Sequence, residues 1–142
     1  MAGGAAMEHN DSNMSKMDQV LTGLRGRHKQ MDNLMALTKE MGNALEFNDL
    51  ESLGAVLSMR QETMAKIDSA NTEVFDVIKS LDQPYRDKMK KVLKQEAEPS
   101  ELENPLEAGI FDTNRMTFLL LQKIIDLDGA INERVTKTIF PT

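Results

Sequence analysis

The chain has 142 residues, with 17 basic and 23 acidic side chains and a formal net charge of -6. The length suits one domain, and the acidic balance argues against nucleic acid or an anionic membrane as the main partner. There is no cysteine, which excludes disulfide scaffolds, thiol catalysis and thiolate metal sites.

Apolar residues make up 40% of the chain and aromatic residues only 4%, while 11 methionines accompany abundant Leu, Ala, Glu, Gln and Lys. Local propensity therefore favours helices packed through flexible side chains. Residues 1–14, MAGGAAMEHNDSNM, are small and polar without periodicity and read as a disordered leader. They have neither the basic head nor the apolar core of a signal peptide. No apolar run is long enough to span a bilayer, so the cytoplasm is the expected compartment.

Ser15 reads as the start of a helix over about 16–47, with Asp18 in the position of the capping-box acid. Its apolar stripe includes Met17, Leu21, Leu24, Met31, Leu34, Met35, Leu37, Met41 and Leu45. A basic patch, Arg25, Arg27, His28 and Lys29, lies between Leu24 and Met31. The short link at Asn48 and Asp49 forces an antiparallel hairpin with the next helix.

That second helix, 49–81, carries the seam around which the chain is expected to be organised. Leu50, Leu53, Leu57, Arg60, Met64, Ile67, Asn71, Val74, Ile78 and Leu81 recur every three or four residues. The spacing puts them on one side of a helix, where partner helices must cover them. Asn48 and Glu51 suit a capping box at its start. At 1.5 Å per residue the seam is roughly 48 Å long, which predicts a rod of helices.

Asp82-Gln83-Pro84 breaks or kinks this helix. A short amphipathic piece over about 84–96 follows, with Tyr85, Met89, Val92 and Leu93 on one face. Its other face is basic, through Arg86, Lys90, Lys91 and Lys94, and suits either solvent or an acidic surface such as the linker EAEPSELE at 96–103. Asn104-Pro105-Leu106-Glu107 is a start signal, with a cap, a proline in the first helical position and an acid at the third. The last helix is expected over 105–139, or from 113 if Gly109 and Asp112 interrupt it. Phe118, Leu121, Ile125, Ile131 and Val135 form its seam, flanked by Leu120, Ile124, Leu127 and Ile139.

Candidate chemistry is sparse. The two histidines, His9 and His28, do not follow a glutamate by three residues as a bundle metal site requires. No Gly-x-Ser-x-Gly or phosphate-binding glycine loop is present, and no cofactor is expected. Arg60 interrupts the seam and suits either an anion or an acid on a neighbouring helix. Asn71 suits a register-setting role. One enzyme reading is a chorismate-mutase-like bundle, in which LTGLRGRHKQMD echoes an opening helix and Arg25, Arg60 and Arg115 clamp a dicarboxylate. The apolar excess of the last helix leaves a side that could receive a partner's amphipathic helix.

The run LMALTKEMGNALEFNDLESLGAVLSMRQETMAKID resembles the helical hairpin of the flagellar type III export chaperones FlgN and FliT. The carrying positions are Ala44, Leu45, Asp49, Leu50, Glu51, Leu53, Arg60, Gln61, Met64 and Ile67. LLLQKIIDLDGAINERVTKTI is similar to their C-terminal helix, and the two stretches cover about half the chain. The resemblance implies a cytoplasmic bacterial protein without catalytic activity. Such a protein binds the terminal helices of hook-associated or filament-cap proteins, prevents their early assembly and delivers them to the export apparatus, with export-gate components as a further partner. By analogy the client site falls on Leu120, Ile124, Leu127, Ile131, Val135 and Ile139. The resulting expectation is an all-α, extended antiparallel bundle over 15–142, a coiled-coil hairpin with a long C-terminal helix packed along it. A generic coiled-coil adaptor, homodimeric through the 50–81 seam, is the alternative within the binding class.

Overall fold

The computed structural model describes the backbone of residues 2–139 and the side chains of residues 11–137. Helix α1 spans Ala2–Glu46, α2 Leu50–Lys79, α3 Tyr85–Leu93 and α4 Pro105–Ile139, with a 3-10 turn at Pro99–Glu101. The all-α expectation holds: α1 and α2 form a close hairpin, α4 packs along α1, and no strand occurs among the described residues.

The centre of the bundle is α1, which corrects the expectation that the seam of α2 organises the chain. Both α2 and α4 pack against α1, while their own backbones barely approach one another. Adjacent pairs of buried residues on α1, Val20-Leu21, Leu37-Thr38 and Met41-Gly42, show why. Neighbours in a helix point about 100° apart, so burial of both members means that the helix is covered from two sides. α4 runs parallel to α1, with Gly109 beside Leu21 at one end and Gly42 beside Ile131 at the other. Gly23 sits where α1 and α2 lie closest, since a Cβ there would come within 2.7 Å of Val74 Cγ2.

The helix ends show which local signals govern. α1 begins at Ala2, upstream of the start expected at Ser15, and helical backbone runs through residues 2–14. Asn13 is buried and holds the turn after α2. Its Nδ2 donates to Asp82 Oδ2 at 3.1 Å, and its Oδ1 accepts from the Asp82 N–H at 3.1 Å. Lys16 Nζ donates to the Ser80 carbonyl at 2.9 Å. α1 ends at Glu46, and the φ of 52° at Asn48 lets the Asp49 N–H reach the Ala44 carbonyl at 2.8 Å. The cap of α2 is therefore Asp49, which accepts from the Ser52 N–H and hydroxyl, instead of the expected Asn48–Glu51 pair.

α2 stops at Lys79, and the chain turns through Asp82–Pro84, where the Gln83–Pro84 peptide is cis. α3 ends at Leu93, three residues earlier than expected. α4 runs unbroken from Pro105, with no restart at Thr113. Its start follows the signal in the sequence. Asn104 Oδ1 accepts from the Glu107 N–H at 2.9 Å, and the Glu107 carboxylate accepts from the Glu103 N–H and from Asn104 Nδ2.

Three core clusters lie along α1. The first gathers all four helices around Met17, Leu24, Ile78, Met89 and Ile110. The second joins Met31, Leu34, Ile67 and Ile124, and the third joins Leu37, Met41, Val56 and Ile131. Beside the first, Glu107 is fully buried and pairs with Lys88 Nζ at 3.0 Å. Burial of Lys88 disfavours its charge. The hydrogen bonds and charges of Glu107 and Glu103 outweigh that and hold its pKa above the ordinary lysine value. The linker also folds back on the basic face of α3, with Lys91 paired to Glu101.

Candidate functional site

Because α2 and α4 both pack on α1 while their backbones barely approach one another, an open trough runs between them. Its α2 edge is read from Arg60, Met64, Ile67 and Asn71, and its α4 edge from Asn114, Phe118, Leu121, Ile125 and Asp128. Both series step by three or four residues, so each shares one helix side. The two helices run antiparallel here, with Arg60 opposite Asp128 and Asn71 near Asn114.

Two arginines bridge the trough. Arg60 reaches across so that its Nη2 donates to both Asp128 oxygens, at 3.1 and 3.0 Å. Its side chain is only 13% exposed, its Nη1 points at Met41 Sδ, and its Nε has no hydrogen-bond partner. The pairing role read for Arg60 is the one seen, with the acid supplied by α4. From the floor, Arg27 donates through Nη1 to Asn71 Oδ1 at 3.0 Å and through Nη2 to Asn114 Oδ1 at 2.7 Å. Asn114 Nδ2 in turn donates to the Val92 carbonyl at 3.0 Å, joining the end of α3 to the same junction. Asn71 thus ties α2 to α1 through Arg27. His28 completes the layer. Thr117 Oγ1 hydrogen-bonds the Thr113 carbonyl and lies 2.8 Å from His28 Nδ1, within hydrogen-bond distance.

Arg60 and Asn71 are eleven residues apart on α2, which places the bridges about 16 Å from each other. Between them three large apolar side chains stay open to solvent: Met64 at 40%, Phe118 at 45% and Ile125 at 52% exposure. Leu121 and Ile67 lie deeper, over Met31 and Leu34. Covering the exposed parts of Met64, Phe118 and Ile125 would be worth about 1 kcal/mol each. The trough therefore offers apolar surface bounded by the Arg60–Asp128 pair and by Arg27.

The client residues expected from the sequence lie elsewhere. Ile124 and Ile131 are buried against α1, and Leu120, Leu127 and Val135 pack beside them. In this arrangement α1 covers that face of α4. The side chain of Ile139 lies outside the described residues, as does His9. The seam expected on α4 is split, since Phe118 and Ile125 face solvent while Ile131 is core. On α2 the buried line passes through Val56 and Thr63 in place of Leu57 and Met64, leaving Leu50, Leu57 and Met64 exposed. The three arginines of the enzyme reading do not converge. Arg25 and Arg115 are exposed, and Arg60 lies beside Met41 and Asp128, about 20 Å along the helices from either of them.

The polar junction at Arg27 was visible in the sequence only as part of a basic patch. Its best signal was a charge at the edge of the α1 stripe in register with Asn71. Among the described residues no cluster of His, Asp and Glu side chains could hold a metal ion, and no helix is long and apolar enough to cross a membrane. The fold and trough define an extended helical bundle with an open apolar face. No protein-family model, curated protein or solved structure matches the chain.

Proposed function

We propose that this protein binds an amphipathic helix of a partner in the trough between α2 and α4, and that it serves as a cytoplasmic export chaperone for late flagellar substrates. The observation that carries the binding reading is the set Met64, Phe118 and Ile125, exposed on the sides of α2 and α4 that carry the two arginine bridges. The sequence resemblance supplies the identity of the client, the terminal helix of a hook-associated or filament-cap protein. Such ends are disordered and amphipathic when free, and a shallow apolar trough receives them without demanding a fixed shape. The partly buried Met35 and Met14 and the exposed Met64 and Met116 add adaptable surface.

The test is calorimetric titration of the full chain with C-terminal helical segments of hook-associated and cap proteins. Binding at about micromolar Kd or tighter that is lost in the Phe118→Ser/Ile125→Ser variant supports the proposal. Absence of binding by every segment removes the flagellar identity. A second reading is favoured by the exposed row Leu50, Leu57 and Met64, which repeats every seven residues as a dimer seam does. Under it the protein sediments as a stable dimer, and Leu57→Lys returns it to a monomer.

A further inference from the structure

The two bridging arginines are not equivalent. Arg60 is neutralised by the Asp128 carboxylate. Arg27 receives only neutral amide oxygens, from Asn71 and Asn114, and no carboxylate pairs with it among the described residues. Its Nε–H, like that of Arg60, has no partner. Holding an arginine away from water without a counter-charge costs free energy that an incoming anion would recover. Burial accordingly pulls its pKa below the ordinary arginine value. After the two amide bonds each terminal nitrogen retains a further N–H, and guanidinium geometry suits a carboxylate. Arg27 also lines a cleft of about 150 Å³ at the end of the trough, together with Asn71, Asn114 and the exposed ring of Phe118. Cation, unused donors, space and an apolar wall thus coincide at one point.

We infer that Arg27 is an anchor for a carboxylate: an Asp or Glu side chain, set among apolar residues, of the helix that occupies the trough. The inference rests on the helix-binding reading of the trough but not on the flagellar identity of the partner. It narrows the partner to an amphipathic helix bearing an acid on or next to its apolar face. It also assigns the two bridges different tasks. Arg60–Asp128 is a finished structural pair, and Arg27 is a pair awaiting its acid.

The experiment uses the full chain and two probes. Phenylacetate, an apolar ring carrying one carboxylate, is compared with its neutral counterpart phenylacetamide while the Arg27 Nε–H resonance is followed by NMR. The anchor predicts a saturable shift with the acid, little with the amide, and no acid response at Phe118 in Arg27→Gln. Equal responses to acid and amide, or an unmoved Arg27, would overturn it. If the variant does not fold, the acid–amide comparison on the unaltered chain still decides. The second arm takes each flagellar segment with its Asp and Glu residues changed one at a time to Asn and Gln. One such change should weaken binding about tenfold, an effect of the size of one charged hydrogen bond, and should have no further effect in Arg27→Gln. Segments that bind Arg27→Gln and the unaltered chain equally well contradict the anchor while leaving the trough as the binding face. A response to phenylacetate without binding of any segment supports the anchor and removes only the flagellar identity. Self-association that is lost in Arg27→Gln would seat a second copy in the trough and contradict a foreign helix.

Discussion

At one end of the bundle all four helices converge, and eleven buried residues from Met17 to Ile110 share a single core. At the other end, past the second cluster, the core cluster comprises only four buried residues, Leu37, Met41, Val56 and Ile131, while Phe47 and Leu50 stand open to water. The dense end also holds the Lys88–Glu107 pair and the clamp of Asn13 on Asp82. The thin end relies on three helices and one hairpin turn capped by Asp49. The contrast teaches how a rod of this length presents a usable surface. One end fixes the separation of α2 and α4, and that separation keeps the trough open farther along.

The sharpest way to break this comparison is to remove one core side chain from each end. Leu24→Ala should cost about 4 kcal/mol, because its neighbours come from several helices and cannot collapse together. Ile131→Ala should cost about 2 kcal/mol, because fewer elements enclose it and α4 can move inward. Urea unfolding of the two variants measures the difference, and equal losses would remove the distinction between the ends.

Next in size is Glu107→Ala. It leaves Lys88 partly buried without its closest acid and removes the carboxylate half of the capping box at the start of α4, for an expected loss of about 3 kcal/mol. The same unfolding experiment reads it, and a change below about 1 kcal/mol would mean that the pair behaves as an exposed one. Gly23→Ala should destabilise by about 2 kcal/mol, since the new methyl meets Val74 Cγ2 inside the dense core. Gly54→Ala, in open space on α2, should instead stabilise by up to about 1 kcal/mol. Thermal melts of this pair should move in opposite directions.

The smallest effect is a pH dependence, and each end has a carboxylate that contributes. Hydrogen bonds from the Ser52 side chain and backbone hold Asp49 below its ordinary value of 3.8. At the dense end the hydrogen bond from Lys91 holds Glu101 below 4.5. Lowered pKa values mean that this stabilisation is present above those ordinary values and is lost as pH falls through the depressed ones. Melting temperature should therefore decline from about pH 4.5 downward. Asp49→Asn keeps a cap acceptor but does not titrate, so it should make that decline shallower with little change at neutral pH.

Much of this architecture could be read from local pattern. The three- and four-residue spacing identified the helices, and Asn104-Pro105 with Glu107 marked the start of α4 because cap, proline and acid all act within one turn. The role of Arg60 was legible as a type of interaction, since a long cation in an apolar seam must find an acid. Its partner Asp128 was not, because 68 residues separate them. The same distance problem hid Asn13, whose bonds to Asp82 span 69 residues and carry α1 through the stretch that composition marked as a leader.

Which apolar residues of α4 stay exposed was hidden for a different reason. The run Phe118-Leu119-Leu120-Leu121 is apolar on every side, so periodicity cannot say which residues α1 will take. Packing against α1 selected Ile124 and Ile131, and the apolar residues left over, Phe118 and Ile125, became the exposed edge. On α2 the pairing of Arg60 and Asn71 across the trough turned the helix so that Val56 and Thr63 went inward and Leu57 and Met64 outward.

Hydrogen exchange of the full chain, with and without the C-terminal helical segment of a hook-associated protein, tests the central claim most directly. The account predicts slower exchange in 60–71 of α2 and 114–128 of α4, with no change around Leu24 and Ile78. Faster exchange along the α1-facing residues of α4, from Leu120 to Val135, would mean that the client displaces α4 and uses the buried face, and would contradict binding in the trough.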